Sequence, residues 1–458
     1  MMATIYENAE QVIVWPGHNG IWREHDNNIL RVSLNSTLTF VHDTDLPPLR
    51  SLIQQPYFTR IWPVQEIALA RCCIMLLRGN NVVDIRSVFL MPHSGSKYFR
   101  TDRDKPELAS LKLEYARVTT LHRQLLGFFQ SRYNNSNASA TPSRSPSISE
   151  VLLQARDHQA SEPRDKVFAL YGMLQRLQAH LEAPNYLRPI EDIYLEASAA
   201  AIHEDQSLRV LEGLTGVSSL ELPSWSPDWS DHQHINKVAE WTDHNASGSS
   251  EAQPSIRGRE LLARGQFIDL VYQEHVTFAA TSSLLEANNL AESLAEPLRD
   301  PSNLPVERYL YLLETLFLSI WNNEDLRTAT DNAHCTWVKN DAKKRAKKHT
   351  VRGLIGYRND GEFTKGFIKR SVILHAGLCY RLDRKKLFQT RDGRLGIASE
   401  AVKSGDSIVL LQGCNLPMVV RPEGTKWKLI VPAYLPADGI MDGKLWRSDG
   451  PLGCFSFV

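Results

Sequence analysis

A change of periodicity near the end of this 458-residue chain constrains its fold more than any other feature. Residues 371–380, 387–390, 395–398, 407–411, 418–421 and 426–434 are short runs rich in β-branched and apolar side chains. Turn pairs divide them: Asp392-Gly393, Gly405-Asp406 and Glu423-Gly424. Strand-length runs joined by such tight turns leave no room for crossover helices, so they predict a small antiparallel β-rich C-terminal unit. A strand-like run at 260–271 precedes them, with mostly helical spacing from about 283 to 348.

The first part of the chain has a different pattern. A short helix to Glu10 leads into the apolar run 11–15, stopped by Pro16-Gly17. A helix starting near Pro63 runs into the apolar segment 72–77, closed by Arg78-Gly79, which suits a strand buried on both faces. Strand, helix and strand in that order predict part of an open α/β sheet, making the chain α/β in its first part and α+β overall. Residues 106–130 carry helical spacing, and 131–149 are too poor in apolar groups to offset the entropy of ordering. Helices return in 161–174, where Pro163 suits the first turn and Asp165 the positive dipole end, and in 191–204. The run Leu222-Pro223-Ser224-Trp225-Ser226-Pro227-Asp228-Trp229-Ser230 then breaks regular structure and packs as irregular chain over a core. The expected organisation is an α/β part at 1–130, a loop or linker at 131–149, a helical region at 150–255, and a helical segment with the β-rich unit at 256–458.

Composition narrows the function classes. Lysine plus arginine and aspartate plus glutamate both number 52, so no global field favours nucleic acid or an anionic membrane. The most apolar long window, 309–321, contains Glu314 and falls short of the roughly 20 residues of a membrane span. The six cysteines show no C-x-x-C pair, which argues against a zinc module or disulfide framework and for reduced thiols in the cytoplasm.

Among single residues, Glu66 carries the sharpest question. It shares a helix face with Trp62, Leu69 and Ala70 and has no cation three or four residues away. It is a functional acid, or an anchor whose carboxylate finds hydrogen bonds elsewhere in the fold. Arg60 and Trp62 could hold a phosphate and stack a base, or simply pack together. Arg164 and Asp165 read as helix-start chemistry tying two segments, Trp225 as core and Asp228 as a turn former. His232 and His234 lack the spacing of a metal site, so no metal is expected. The basic run 343–349 is either a solvated helix end or a nuclear-import patch.

Several blocks, taken in order, give a resemblance. They are Ile5-Tyr6-x-Asn8-Ala9 with Trp15-x-Gly17, Phe58-Thr59-Arg60-x-Trp62-x-x-Gln65-Glu66, Glu162-Pro163-Arg164-Asp165-Lys166-Val167 with Ala169-Leu170-x-Gly172, and Leu222-Pro223-Ser224-Trp225-x-Pro227-Asp228-Trp229. With the region from Lys403 to Gly443, they make the chain similar to fungal heterokaryon incompatibility (HET) domain proteins. The resemblance implies a HET/TIR-like α/β sheet and a role in fungal non-self recognition with programmed cell death. It also implies protein partners of the incompatibility system, or self-association, with no nucleic acid or membrane and no resident cofactor. HET domains are distantly similar to TIR domains, some of which hydrolyse NAD with a glutamate; that analogy makes Glu66 the catalytic candidate and NAD the substrate in the alternative function. The family's upstream blocks find no room before Met1, so the resemblance implies a partial sheet in an N-terminally truncated chain. It therefore favours association over chemistry.

Overall fold

The computed structural model describes residues 2–15, 46–77, 81–85, 89, 145–231, 244–248, 250–278, 384–448 and 450–458, together with parts of 121–129 and 304–316 and residue 382. The runs or parts of runs predicted at 106–120, 131–144, 283–303, 317–348 and 371–380, His232, His234 and the basic run 343–349 lie outside them. The protein is α+β, in two compact units, Met1–Ile193 and Tyr194–Val458.

In the first unit, α1 (Met2–Asn8) precedes β1 (Val12–Val14). Then come α2 (Leu46–Ile53), α3 (Pro56–Thr59) and α4 (Trp62–Leu69), followed by β2 (Cys73–Leu77) and β3 (Asn81–Asp84). β1 and β2 pair in parallel, which requires a crossover of the kind the helices between them supply, and β3 pairs antiparallel to β2. The four residues of β3 are too short to carry a readable period, so no strand is expected there. Val14, Cys73, Met75 and Val83 share one sheet face and join Leu52, Ile53, Phe58, Ile67 and Phe89 in the core. The expectation that 72–77 is buried on both faces is corrected: Ile74 and Leu76, which point to the other face, are only half-buried, and Ile13 beside them is exposed.

Two boundaries also move. α5 (Ile148–Ala155) begins inside the run read as a linker, because Ser147 and Glu150 form a capping box. The Glu150 amide donates to Ser147 Oγ at 3.1 Å, and the Ser147 amide donates to Glu150 Oε2 at 2.9 Å. The single helix predicted over 161–174 is two, α6 (Asp165–Phe168) and α7 (Tyr171–Arg176). The turn between them redirects α7 so that Gly172 meets Ala3 of α1, where a Cβ would collide with the Ala3 methyl.

The second unit holds most of α8 (Ile190–Asp205), a 3-10 turn at Arg209–Gly213, the irregular run 222–230 and the strands. These are β4 (Ser255–Arg257), β5 (Glu260–Thr277), β6 (Lys385–Thr390), β7 (Leu395–Ser399), β8 (Ser407–Leu411), β9 (Met418–Glu423), β10 (Lys426–Pro432) and β11 (Gly453–Phe457). β5 pairs with β8, β8 with β9, β9 with β10, β10 with β11, and β11 returns to β5, which closes a ring of strands. One pairing departs from the antiparallel expectation: β10 and β11 are parallel, touching at Trp427 and Phe457. Bulges between Phe267 and Asp269 and between Val271 and Gln273 bend β5, so its second half leaves the ring to pair with β6. Gly265 is needed where β5 crosses β8, since a Cβ there would strike the Leu410 carbonyl. β6 and β7 bury both faces, Phe388 and Ala398 toward the cluster with Ile408 and Val419, and Leu387, Leu395 and Ile397 toward Tyr309, Leu312 and Leu316.

Candidate functional site

The residues singled out in the first unit converge on one polar seam among α1, α3, α4, α6 and α7. Apolar side chains on most sides of α4 bury Val64, Gln65, Ile67, Ala68 and Leu69, leaving Trp62 and Glu66 half-buried one turn apart. Glu66 finds its partners there. The Tyr57 hydroxyl donates to Glu66 Oε2 at 3.3 Å, and Tyr6 of α1 lies close enough to feel the same charge. Burial first, then the Glu66 charge, push Tyr6 up to about 12, and the same causes raise Tyr57. Both phenols therefore stay protonated donors at neutral pH. The carboxylate ties α3 to α4.

Beside it, Trp62 Nε1 donates to Asp165 Oδ2 at 2.9 Å, and the Tyr186 hydroxyl donates to Asp165 Oδ1 at 2.7 Å. Both carboxylate oxygens of Asp165 are thus used in tertiary contacts. Arg164 Nε donates to the Arg188 carbonyl at 3.0 Å, and its Nη1 pairs with Glu162 at 2.6 Å. Gln65 Oε1 accepts from the Gly172 amide at 3.2 Å, and Arg176 forms an ion pair with Glu7. Lys166 is buried, with its ammonium donating to the Arg156 carbonyl at 2.9 Å and to that of His158. Burial, with the Arg156 charge adding to it, lowers Lys166 to about 8. Arg60 joins the seam by its backbone, through a bridge to Gln159, while its side chain is exposed.

The structure therefore joins Trp62 to Asp165 and sets Glu66 one turn away, whereas Arg60 points outward. Sequence reading missed Tyr6, Tyr57, Gln65 and Lys166, although Tyr6, Gln65 and Lys166 stand inside the quoted blocks. Trp225 and Asp228 belong to the second unit. Trp225 is fully buried and its Nε1 donates to the Arg259 carbonyl at 2.9 Å. Asp228 accepts from the Ser230 amide at 3.0 Å and the Ser218 hydroxyl at 2.8 Å, the pattern of a side chain that closes a turn. Two buried aspartates brace the strands. Asp406 receives Arg421 in a two-pronged pair at 2.7 and 2.9 Å. Asp269, set at a β5 bulge, pairs with Arg394 at 2.7 Å, and Arg394 also reaches Asp392 and Asp438.

Among the described residues no group of three or more His, Cys, Asp or Glu side chains is placed to hold a metal, and no helix is long and apolar enough to cross a membrane. The four described cysteines, Cys72, Cys73, Cys414 and Cys454, are free thiols.

The class these features define is an α+β protein whose second unit closes a ring of mainly antiparallel strands. Residues 371–450 match the family model described as the Het-6 beta-barrel domain, and this stretch contains β6 to β10. A Het-6 domain fits a heterokaryon incompatibility-type protein. No curated protein and no solved structure matches the chain.

Proposed function

We propose that this chain is a fungal heterokaryon incompatibility protein that takes part in non-self recognition and programmed cell death, acting in the cytoplasm through protein association. The observation that carries the reading is the Het-6 match at 371–450, which covers β6 to β10, of which β8, β9 and β10 are consecutive strands of the closed ring. The seam supports association over chemistry, because Trp62 and Asp165 spend their side-chain hydrogen-bonding groups inside the fold and Glu66 Oε2 accepts from Tyr57. Expressing the chain in a filamentous fungus should arrest growth or kill the hyphae. Unimpaired growth at confirmed protein levels would count against the proposal.

A TIR-like NAD glycohydrolase is the second reading. Its support is that Glu66 is the one half-buried carboxylate on the apolar helix α4, where it could stabilise positive charge as nicotinamide leaves. Purified full-length protein incubated with NAD decides between them. The association reading expects no nicotinamide release, and release lost on Glu66→Ala while the melting curve remains cooperative would replace it with the enzymatic one.

A further inference from the structure

α1 is held to the first unit with little apolar burial. Of its seven residues only Ala3 is buried, while Met2 and Ile5 are exposed. The core cluster built on Phe58, Met75 and Phe89 takes no side chain from it. A helix this short is unstable by itself, so α1 persists only while it is docked.

What docks it is mainly polar. Glu7 offers both carboxylate oxygens to Arg176 of α7, one to Nε and one to Nη2, and Arg176 Nη1 donates to the Gly172 carbonyl. This ion pair is partly exposed, so dissolved salt weakens it. Ala3 sits where α4 and α7 meet, since a Cβ on Gly172 would strike both the Ala3 methyl and Gln65 Oε1. About one turn further along α1, Tyr6 lies beside Glu66 and Tyr57, close enough that the carboxylate charge acts on both phenols. We infer that α1 is a detachable cover: it shields Glu66 and Tyr57 while the Glu7–Arg176 pair is made, and undocks as a local unit when that pair is broken. Elements with few buried apolar contacts are the ones that open while the rest of a domain stays folded. The inference goes beyond both readings above, because it sets when Glu66 can be reached and not what reaches it.

The test uses the purified full chain and two readouts. The first is hydrogen exchange of wild type in low and in molar salt. The amides of Tyr6 to Ala9 should exchange several-fold faster in high salt while those of α4 do not change. The second is labelling of carboxylates with a water-soluble carbodiimide and glycine ethyl ester, read by mass spectrometry with the exposed Glu251 as internal reference. Arg176→Glu should raise labelling of Glu66 several-fold, and the charge swap Glu7→Arg with Arg176→Glu should bring it back toward wild type. If Arg176→Glu lowers the melting temperature of the whole unit, Glu7→Gln, which keeps the Arg176 bond to Gly172, should still raise the labelling. α1 amides that exchange no faster than those of α4, or Glu66 labelling that none of these variants moves, overturns the inference. Neither readout measures growth arrest or nicotinamide release, so its failure leaves both functional readings where they stand.

Discussion

Lys166 offers the clearest residue-scale measurement. Its folded value of about 8 lies below the ordinary 10.5, so in that window the unfolded chain binds a proton that the folded chain does not. Stability therefore rises with pH between these values, while below pH 8 the buried charge exerts its full destabilising effect. Relative to Lys166→Met, wild type should gain about 2–4 kcal/mol of unfolding free energy from pH 8 to 10.5, and a flat difference would refute the assignment. Glu66→Ala leaves the Tyr57 hydroxyl without its acceptor and should cost about 1–3 kcal/mol in urea unfolding. Arg421→Met strands the buried Asp406 carboxylate. A loss of about 2–3 kcal/mol is expected, partly recovered in the Asp406→Asn/Arg421→Met double variant, because removing both charges removes the desolvation penalty too. Of these residues, Glu66 drew notice in the sequence because an acid interrupts an apolar helix face. Its partner Tyr57 did not, since it belongs to another helix and nothing local marks the contact.

At the scale of elements, the strands of the second unit were largely legible. The runs expected at 387–390, 395–398, 407–411 and 418–421 correspond to β6, β7, β8 and β9, because glycine turns and β-branched runs are local signals. The end of β5 was not, because bulges interrupt its alternation just where it changes partner. Nor was β11, a single short run with nothing nearby to pair with. Its register on β5, from Gly453 opposite Gly265 to Phe457 opposite Leu261, is what closes the ring. The segment 371–450 produced alone therefore lacks β4, β5 and β11 and should give the dispersed spectrum of a folded domain only when 255–278 and 451–458 are restored; a folded 371–450 fragment would contradict the ring. In the first unit, Gly172→Val should push α7 off α1 and lower the melting temperature by several degrees, about 1–3 kcal/mol, as overpacking does.

Across the whole molecule, the two units have separate hydrophobic clusters, one built on Phe58, Met75 and Phe89 and others on Leu387, Ile408 and Val419. Calorimetry of the full chain should reflect this. Lys166→Met should shift one transition and Arg421→Met another, whereas a single transition moved equally by both would mean that the units unfold as one. The sequence by itself determined the helix that starts near Pro63, most strands of the second unit with the glycine turns between them, and that the α/β part precedes the β-rich part, because period and turn chemistry act over a few residues. Only the tertiary structure decided that Trp62 bonds Asp165 across 103 positions, that Tyr57 bonds Glu66, and that β11 closes on β5. The reason is physical: such contacts join groups far apart in the chain, and their energy depends on the packed arrangement, which leaves no periodic trace in the residues around them.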